Sequence, residues 1–142
     1  GSFFLRDTPE ECSIIFLASG TGFAPIKSIL EHVFHQEGGR HRKRNMTLYW
    51  GARTKSDLYL ADLADKWQRE HDNFTFIPVL SEPLPSDNWQ GRTGLVHQAV
   101  MHDFLSLEMH QVYACGVPVM VKAAYHDFKP LIIVSHGQFM LA

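Results

Sequence analysis

Residues 13–18 read SIIFLA, a short apolar run that passes straight into a glycine turn, Ser19-Gly20-Thr21-Gly22. A run this brief and this apolar is what a strand covered on both faces requires. Covering both faces calls for helices above and below a sheet, and helical spacing follows at once. Ile26, Ile29, Leu30, Val33 and Phe34 predict a helix over residues 23–36, ended by Gly38-Gly39. The same unit then recurs. Residues 46–52 (MTLYWGA), 74–80 (FTFIPVL) and 111–115 (QVYAC) predict three more strands, and residues 131–134 a fifth. Leu60, Leu63, Ala64 and Trp67 give a second helical stripe. Val96, Ala99, Val100 and Phe104 give a third, and Val119, Met120, Ala123, Ala124 and Phe128 a fourth. Strands alternating with amphipathic helices predict an α/β, three-layer doubly wound domain built on a parallel sheet. The expected sheet has five strands in the order 3-2-1-4-5.

A chain of 142 residues fits one domain over residues 1–142, and no internal repeat or low-complexity tract divides it. A formal net charge of -2 gives no global field toward nucleic acid or an anionic membrane. The most basic run, Arg40-His41-Arg42-Lys43-Arg44, reads as a solvated loop. It has no stacking aromatics beside it, so no nucleic-acid partner is expected. No apolar run has the length to span a bilayer, so no membrane partner is expected either. The opening GSFFLR lacks the pattern of a signal peptide. Two cysteines, Cys12 and Cys115, are too few for a disulfide framework, and the expected setting is reducing and cytoplasmic. His32 and His35 share a helix face but have no third ligand at a metal-binding spacing, so no metal is expected.

Parallel sheets of this kind bind ligands outside the carboxyl ends of their strands. The residues there are 19–25, 51–56, 81–83 and 115–120. At 19–25, Gly20 and Gly22 permit a tight turn and close backbone approach. The helix N-terminus behind them offers unpaired N–H groups suited to a pyrophosphate. Pro25 is tolerated in that first turn. The full dinucleotide fingerprint is absent: Pro25 stands where the third glycine would be, and no acidic residue ends the second strand. On its own, the turn fits a tight connection equally well.

Three further segments occur with it. Gly20-Thr21-Gly22-Phe23-Ala24-Pro25 resembles the G-T-G-x-A-P turn of the ferredoxin reductase superfamily. Leu48-Tyr49-Trp50-Gly51-Ala52-Arg53, with Asp57-Leu58-Tyr59 behind it, resembles that superfamily's second strand and its exit. Trp89-Gln90-Gly91-Arg92-Thr93-Gly94 resembles its W-x-G-x-x-G segment. Cys115-Gly116-Val117-Pro118-Val119-Met120 resembles its C-G-x-x-x-M signature. The four stand in the family's order and span about residues 1 to 128. The opening residues and residues 18–30 are most similar to CDP-6-deoxy-3,4-glucoseen reductases, and multicomponent oxygenase reductases are similar in the same segments.

The resemblance implies a nicotinamide-dinucleotide-binding domain of a flavin-dependent oxidoreductase. NADH or NADPH would be its ligand. FAD and a 2Fe-2S cluster would sit in other domains, and electrons would pass toward deoxysugar synthesis. Gly20, Thr21, Gly22 and Pro25 would receive the pyrophosphate and the nicotinamide end. Cys115 would be the catalytic contact beside the nicotinamide ring and the flavin, with Gly116, Pro118 and Met120 shaping that end. Ser81 and Glu82 would lie by the adenosine ribose, and Arg53 on the adenosine side. Partners would be a flavin domain of the same polypeptide and an electron-acceptor protein.

The chain also departs from the family. Residues 1–8 read as the end of a flavin domain whose other segments are absent, and residues 130–142 lack the family's acidic, aromatic-rich end. These departures imply that the chain alone is inactive. They leave open a non-catalytic nucleotide-binding remnant, or the same domain in an oxygenase reductase.

Overall fold

The computed structural model describes residues 13–35, 44–131 and 138–141. Its strands are β1 (Ser13–Ser19), β2 (Met46–Ala52), β3 (Phe74–Leu80), β4 (Arg92–Thr93), β5 (His110–Cys115) and β6 (Gln138–Leu141). Its α-helices are α1 (Phe23–His35), α2 (Ala61–Glu70), α3 (Val96–Asp103) and α4 (Pro118–Phe128). All pairings are parallel, and the sheet runs β4-β3-β2-β1-β5-β6. The expected 3-2-1-4-5 order is therefore present as β3-β2-β1-β5-β6, with the two-residue β4 added at one edge. The last strand is displaced along the chain from its expected place. Leu131 closes a 3-10 turn, Lys129–Leu131, and β5 pairs with Gln138–Leu141. Residues 132–134 of the expected strand lie outside the described residues, as do the expected flavin-domain end at 1–8 and Gly38-Gly39.

Period-two alternation sorts the strands' side chains between two cores. Ile14, Phe16, Ala18, Leu48, Trp50, Phe76 and Tyr113 face α1 and α2, where Ile26, Leu30, Ala64 and Trp67 meet them. Ile15, Leu17, Tyr49, Val79, Val112 and Ala114 face α3 and α4, where Val96, Val100, Ala124 and Phe128 meet them. Phe23, the first residue of α1, stacks on Trp50 at 4.1 Å between centroids and 13° between planes. That contact seats the helix start against the end of β2.

The register brings the strand ends level. Ala18 of β1 lies between Trp50 and Cys115, and Ser19 lies beside Gly51. From β1 the chain builds β2 and β3 on one side, then returns to build β5 and β6 on the other. The reversal opens a crevice between the carboxyl ends of β1 and β5.

One segment departs from its solvated reading. Arg44, last of the basic run, is buried and donates from Nη2 to Gln111 Oε1 at 2.9 Å. Its backbone carbonyl accepts from Asn73 Nδ2 at 2.7 Å. Residues 40–43 lie outside the described residues.

Candidate dinucleotide site

Two turns meet at the crevice, and each has the shape the other needs. After β1, Gly20 turns the chain with φ +52°, in the left-handed region that favours glycine. A 3-10 turn, Gly20–Gly22, then leads into α1. After β5, Gly116 takes φ +147°, and α4 begins at Pro118. A Cβ on Gly22 would overlap the Cys115 carbonyl and come within 2.7 Å of Gly116 Cα. A Cβ on Gly116 would overlap Ser19 Oγ and lie 2.9 Å from the Ser19 carbonyl oxygen. Ser19 Oγ accepts the Val117 N–H at 3.0 Å, and the Gly20 carbonyl accepts Trp50 Nε1–H at 3.0 Å. The glycines of both motifs thus let two backbones touch.

A cleft of about 630 Å³ opens above this junction. It extends from the β1 and β5 ends across β2 to β3, and the first residues of α3 and α4 close it from the side. Gly20, Thr21, Arg53, Ser81 and Met120 line it. Gly22, Cys115 and Gly116 lie at the junction behind that lining. Pro25 sits half-buried in the first turn of α1, and Pro118 is exposed at the start of α4. Glu82 is exposed next to Ser81, and its backbone N–H donates to the Arg53 carbonyl at 2.9 Å.

Cys115 is buried, and burial pushes its thiol above the ordinary cysteine value. The protonated thiol is therefore the resting form at neutral pH, the form of an apolar contact and not of a nucleophile.

The outer part of the cleft is built by side chains. Asp57 Oδ2 accepts from the Thr54 hydroxyl at 3.2 Å, and Asp87 Oδ2 accepts the Leu84 N–H at 2.9 Å and the Lys55 N–H at 3.3 Å. Asp57 closes the turn that follows β2, and Asp87 joins that turn to the one that follows β3. The wall at Gly94 and Leu95 has its own tether. Arg92 Nη1 donates to Asp103 Oδ1 at 2.8 Å, and the Tyr49 hydroxyl donates to Asp103 Oδ2 at 2.5 Å. Burial alone would raise the Asp103 carboxyl. Hydrogen bonds from Arg92, Tyr49 and His102 outweigh it and hold the group below its ordinary value. Burial, and then the bond to Asp103, push the Tyr49 hydroxyl well above its ordinary value.

The sequence reading gave no ligand-facing role to the apolar lining at Tyr59, Leu95, Val117 and Val119, or to His97 on α3. The four apolar residues are exposed, and hydropathy alone does not separate a ligand wall from ordinary surface. His97 carried one signal: a polar residue beside Val96 and just ahead of Ala99 and Val100, inside a buried stripe.

Residues 16–126 match the model of the oxidoreductase NAD-binding domain. The chain belongs to that family, within the ferredoxin reductase superfamily. It is 48% identical over 128 residues to protein RfbI of Salmonella typhimurium, covering 90% of this chain and 36% of that protein. It is 39% identical over 137 residues to the CDP-6-deoxy-L-threo-D-glycero-4-hexulose-3-dehydrase reductase of Yersinia pestis, covering 96% of this chain and 37% of that one. The structure of the Amycolatopsis cytochrome P450 reductase GcoB matches with a TM-score of 0.77 at 28% identity, over 94% of this chain and 37% of that chain. The chain therefore spans about a third of the length of these relatives. Among the described residues, no helix is long and apolar enough to cross a membrane.

Proposed function

We propose that this chain is the nicotinamide-binding half of a flavin-dependent oxidoreductase of deoxysugar synthesis, working in a cytoplasmic setting. NADH supplies the hydride, and an FAD held by a flavin domain of the same polypeptide receives it, with electrons passing on to a 2Fe-2S centre and an acceptor protein. One observation carries the reading: the Gly20–Gly22 turn and the Cys115–Met120 segment interlock at the strand-order reversal, over a cleft large enough for a ligand. The name of the Yersinia relative supports the deoxysugar assignment.

The residues have distinct tasks in this reading. Gly20, Thr21 and Gly22 bring the positive end of α1 to the pyrophosphate, and Pro25 gives up no N–H that the helix needs. Arg53 is the one cation among the described residues lining the cleft, so helix termini carry most of the anion binding. Cys115, buried behind the lining with Gly116, places an uncharged sulfur next to the nicotinamide end, Pro118 starts the helix beyond it, and Met120 lines the adjoining wall. Ser81 and Glu82 meet the adenosine ribose. A carboxylate beside Ser81 accepts hydrogen bonds from free ribose hydroxyls and repels a 2′-phosphate, which favours NADH over NADPH. Arg53 and Lys55 oppose that preference from the facing turn.

Hydride transfer needs donor and acceptor held in contact. The 142-residue chain is therefore expected to bind NADH without turning over ferricyanide, and to turn it over once joined to its flavin domain. Comparable turnover by the chain alone, without added flavin, contradicts the reading. Tighter binding of NADPH than of NADH contradicts the ribose assignment alone.

A further inference from the structure

His97 is the second residue of α3 and lines the cleft, yet it is only 4% exposed. Of the described residues lining the cleft, it is the one whose polar side chain is buried. Val96, Met120 and Ala123, which line the same cleft, are apolar. Its Nε2 pairs with Asp127 Oδ2 on α4 at 3.1 Å. Its Nδ1 is buried and has no hydrogen-bond partner among the described residues. Buried polar atoms are rarely left unmet, because desolvation removes their bonds to water without return. An orphaned ring nitrogen buried inside the wall of a ligand cleft is a capacity that a ligand can meet once the ring turns toward it.

The pairing fixes which chemistry meets it. A carboxylate accepts, so Asp127 takes the proton side of Nε2, and in the neutral ring Nδ1 is left with a lone pair. A phosphate oxygen beside that lone pair would be repelled. An N–H or O–H group would be bound. The anchor allows adjustment: the Asp127 side chain is 37% exposed, so its carboxylate can follow a turn of the ring toward the cleft.

We propose that His97 is a dinucleotide-binding residue of the α3–α4 wall, with Nδ1 accepting a hydrogen bond from an N–H or O–H donor of bound NADH. This rests on the reading of the cleft as an NADH site. NADH has three donors of this kind: the amide of its carboxamide, its ribose hydroxyls and the amino group of its adenine. Asp127 is a positioning residue, holding the tautomer that leaves Nδ1 open.

The test uses the 142-residue chain with its histidine rings labelled with ¹⁵N, titrated with NADH and with ADP-ribose, which lacks the nicotinamide. Binding of NADH to the wild-type chain is measured first. If NADH does not bind, the cleft reading fails and this inference falls with it. If it binds, the Nδ1 resonance of His97 is expected to move toward its hydrogen-bonded position. A shift with NADH alone assigns the carboxamide as donor, and a shift with both ligands assigns a ribose hydroxyl or the adenine amino group. His97→Phe keeps a ring and removes both nitrogens, and NADH is expected to bind it about tenfold more weakly. His97→Asn, which places an acceptor near the Nδ1 position, should recover part of that loss. The ring resonance is read on the wild-type chain, so it decides the matter even if the variants fold poorly. NADH binding that leaves Nδ1 unmoved overturns the inference and leaves the cleft reading intact.

Discussion

The two ends of the cleft are built by different means. At the β1–β5 crevice, backbone meets backbone. Gly22 and Gly116 have no room for a Cβ, and the one titratable group at the junction, Cys115, is buried. At the β2–β3 end, side chains add to the backbone bonds between the two turns. Asp57 closes the first turn, Asp87 ties it to the second, and Arg53, Ser81 and Glu82 are exposed. A site made by close packing tolerates few residues. One made by exposed side chains can change its ligand preference with little effect on the fold. In the proposed reading, the first end takes the part of a dinucleotide common to all its users, and the second takes the part that distinguishes them.

The largest effect expected from breaking this contrast is at Gly22 and Gly116. Alanine at Gly22 forces Cβ into backbone that cannot swing aside; at Gly116 it displaces the Ser19 hydroxyl, crowds the Ser19 backbone and adds an unfavourable φ. Each substitution is expected to destabilise the chain by about 3 kcal/mol or more, measured by chemical denaturation. Gly20→Ala is the internal control. Its Cβ meets nothing within 4 Å, so only the left-handed φ of +52° opposes it, at a cost of about 1–2 kcal/mol. Equal losses at Gly20 and Gly22 would show that φ, and not the interlock, makes the first turn brittle.

The Arg92–Asp103–Tyr49 tether is expected to lie between the two extremes. Asp103→Asn removes a charge-assisted bond from a partly exposed pair, a loss of about 1 kcal/mol. Its pH dependence has a definite sign. The Asp103 carboxyl is held below its ordinary 3.8, so its contribution is present above pH 3.8 and is lost as pH falls through the lowered value. The Tyr49 hydroxyl is raised above its ordinary 10.0, so the stability it lends is present below pH 10.0 and is lost as pH rises beyond it. Denaturation curves across pH should show both limbs in the wild-type chain, with the acid limb reduced in Asp103→Asn. An unchanged acid limb would assign it to other carboxylates.

The smallest effect on stability is expected at Glu82. Glu82→Gln should leave the melting temperature within about one degree, as exposed substitutions usually do. It should still narrow the preference for NADH over NADPH, read from paired titrations. A large stability loss here would erase the distinction between the two ends.

What the sequence made legible follows the same division. Glycine turns are readable because their requirement is steric and local: Gly20 needs a positive φ, and Gly22 needs an absent side chain. Buried parallel strands are readable because both faces need apolar residues. Features set by partners far along the chain were not readable. Arg44 stands in a basic run and reads as solvated, but its bond to Gln111, 67 residues away, holds it inside. His97 is partnered from 30 residues away by Asp127, and a single histidine in an apolar stripe is most often a satisfied core residue. The strand beside β5 was expected too early, because residues 131–134 are the more apolar stretch, while Gln138–Leu141 has the pairing. In an edge strand, ladder geometry can outweigh hydropathy. The two-residue β4 is below the length at which any periodicity is visible.

The central claim is that a dinucleotide binds across the carboxyl ends of the strands, between the starts of α1, α3 and α4. Backbone amide NMR of the 142-residue chain during NADH titration tests it most directly. The account predicts shifts concentrated at residues 19–22, 94–97 and 117–120, with weaker ones at 53–57 and 81–82. Saturable NADH binding whose shifts fall instead at the amino ends of the strands, or on the outer faces of α1 and α2, would contradict it.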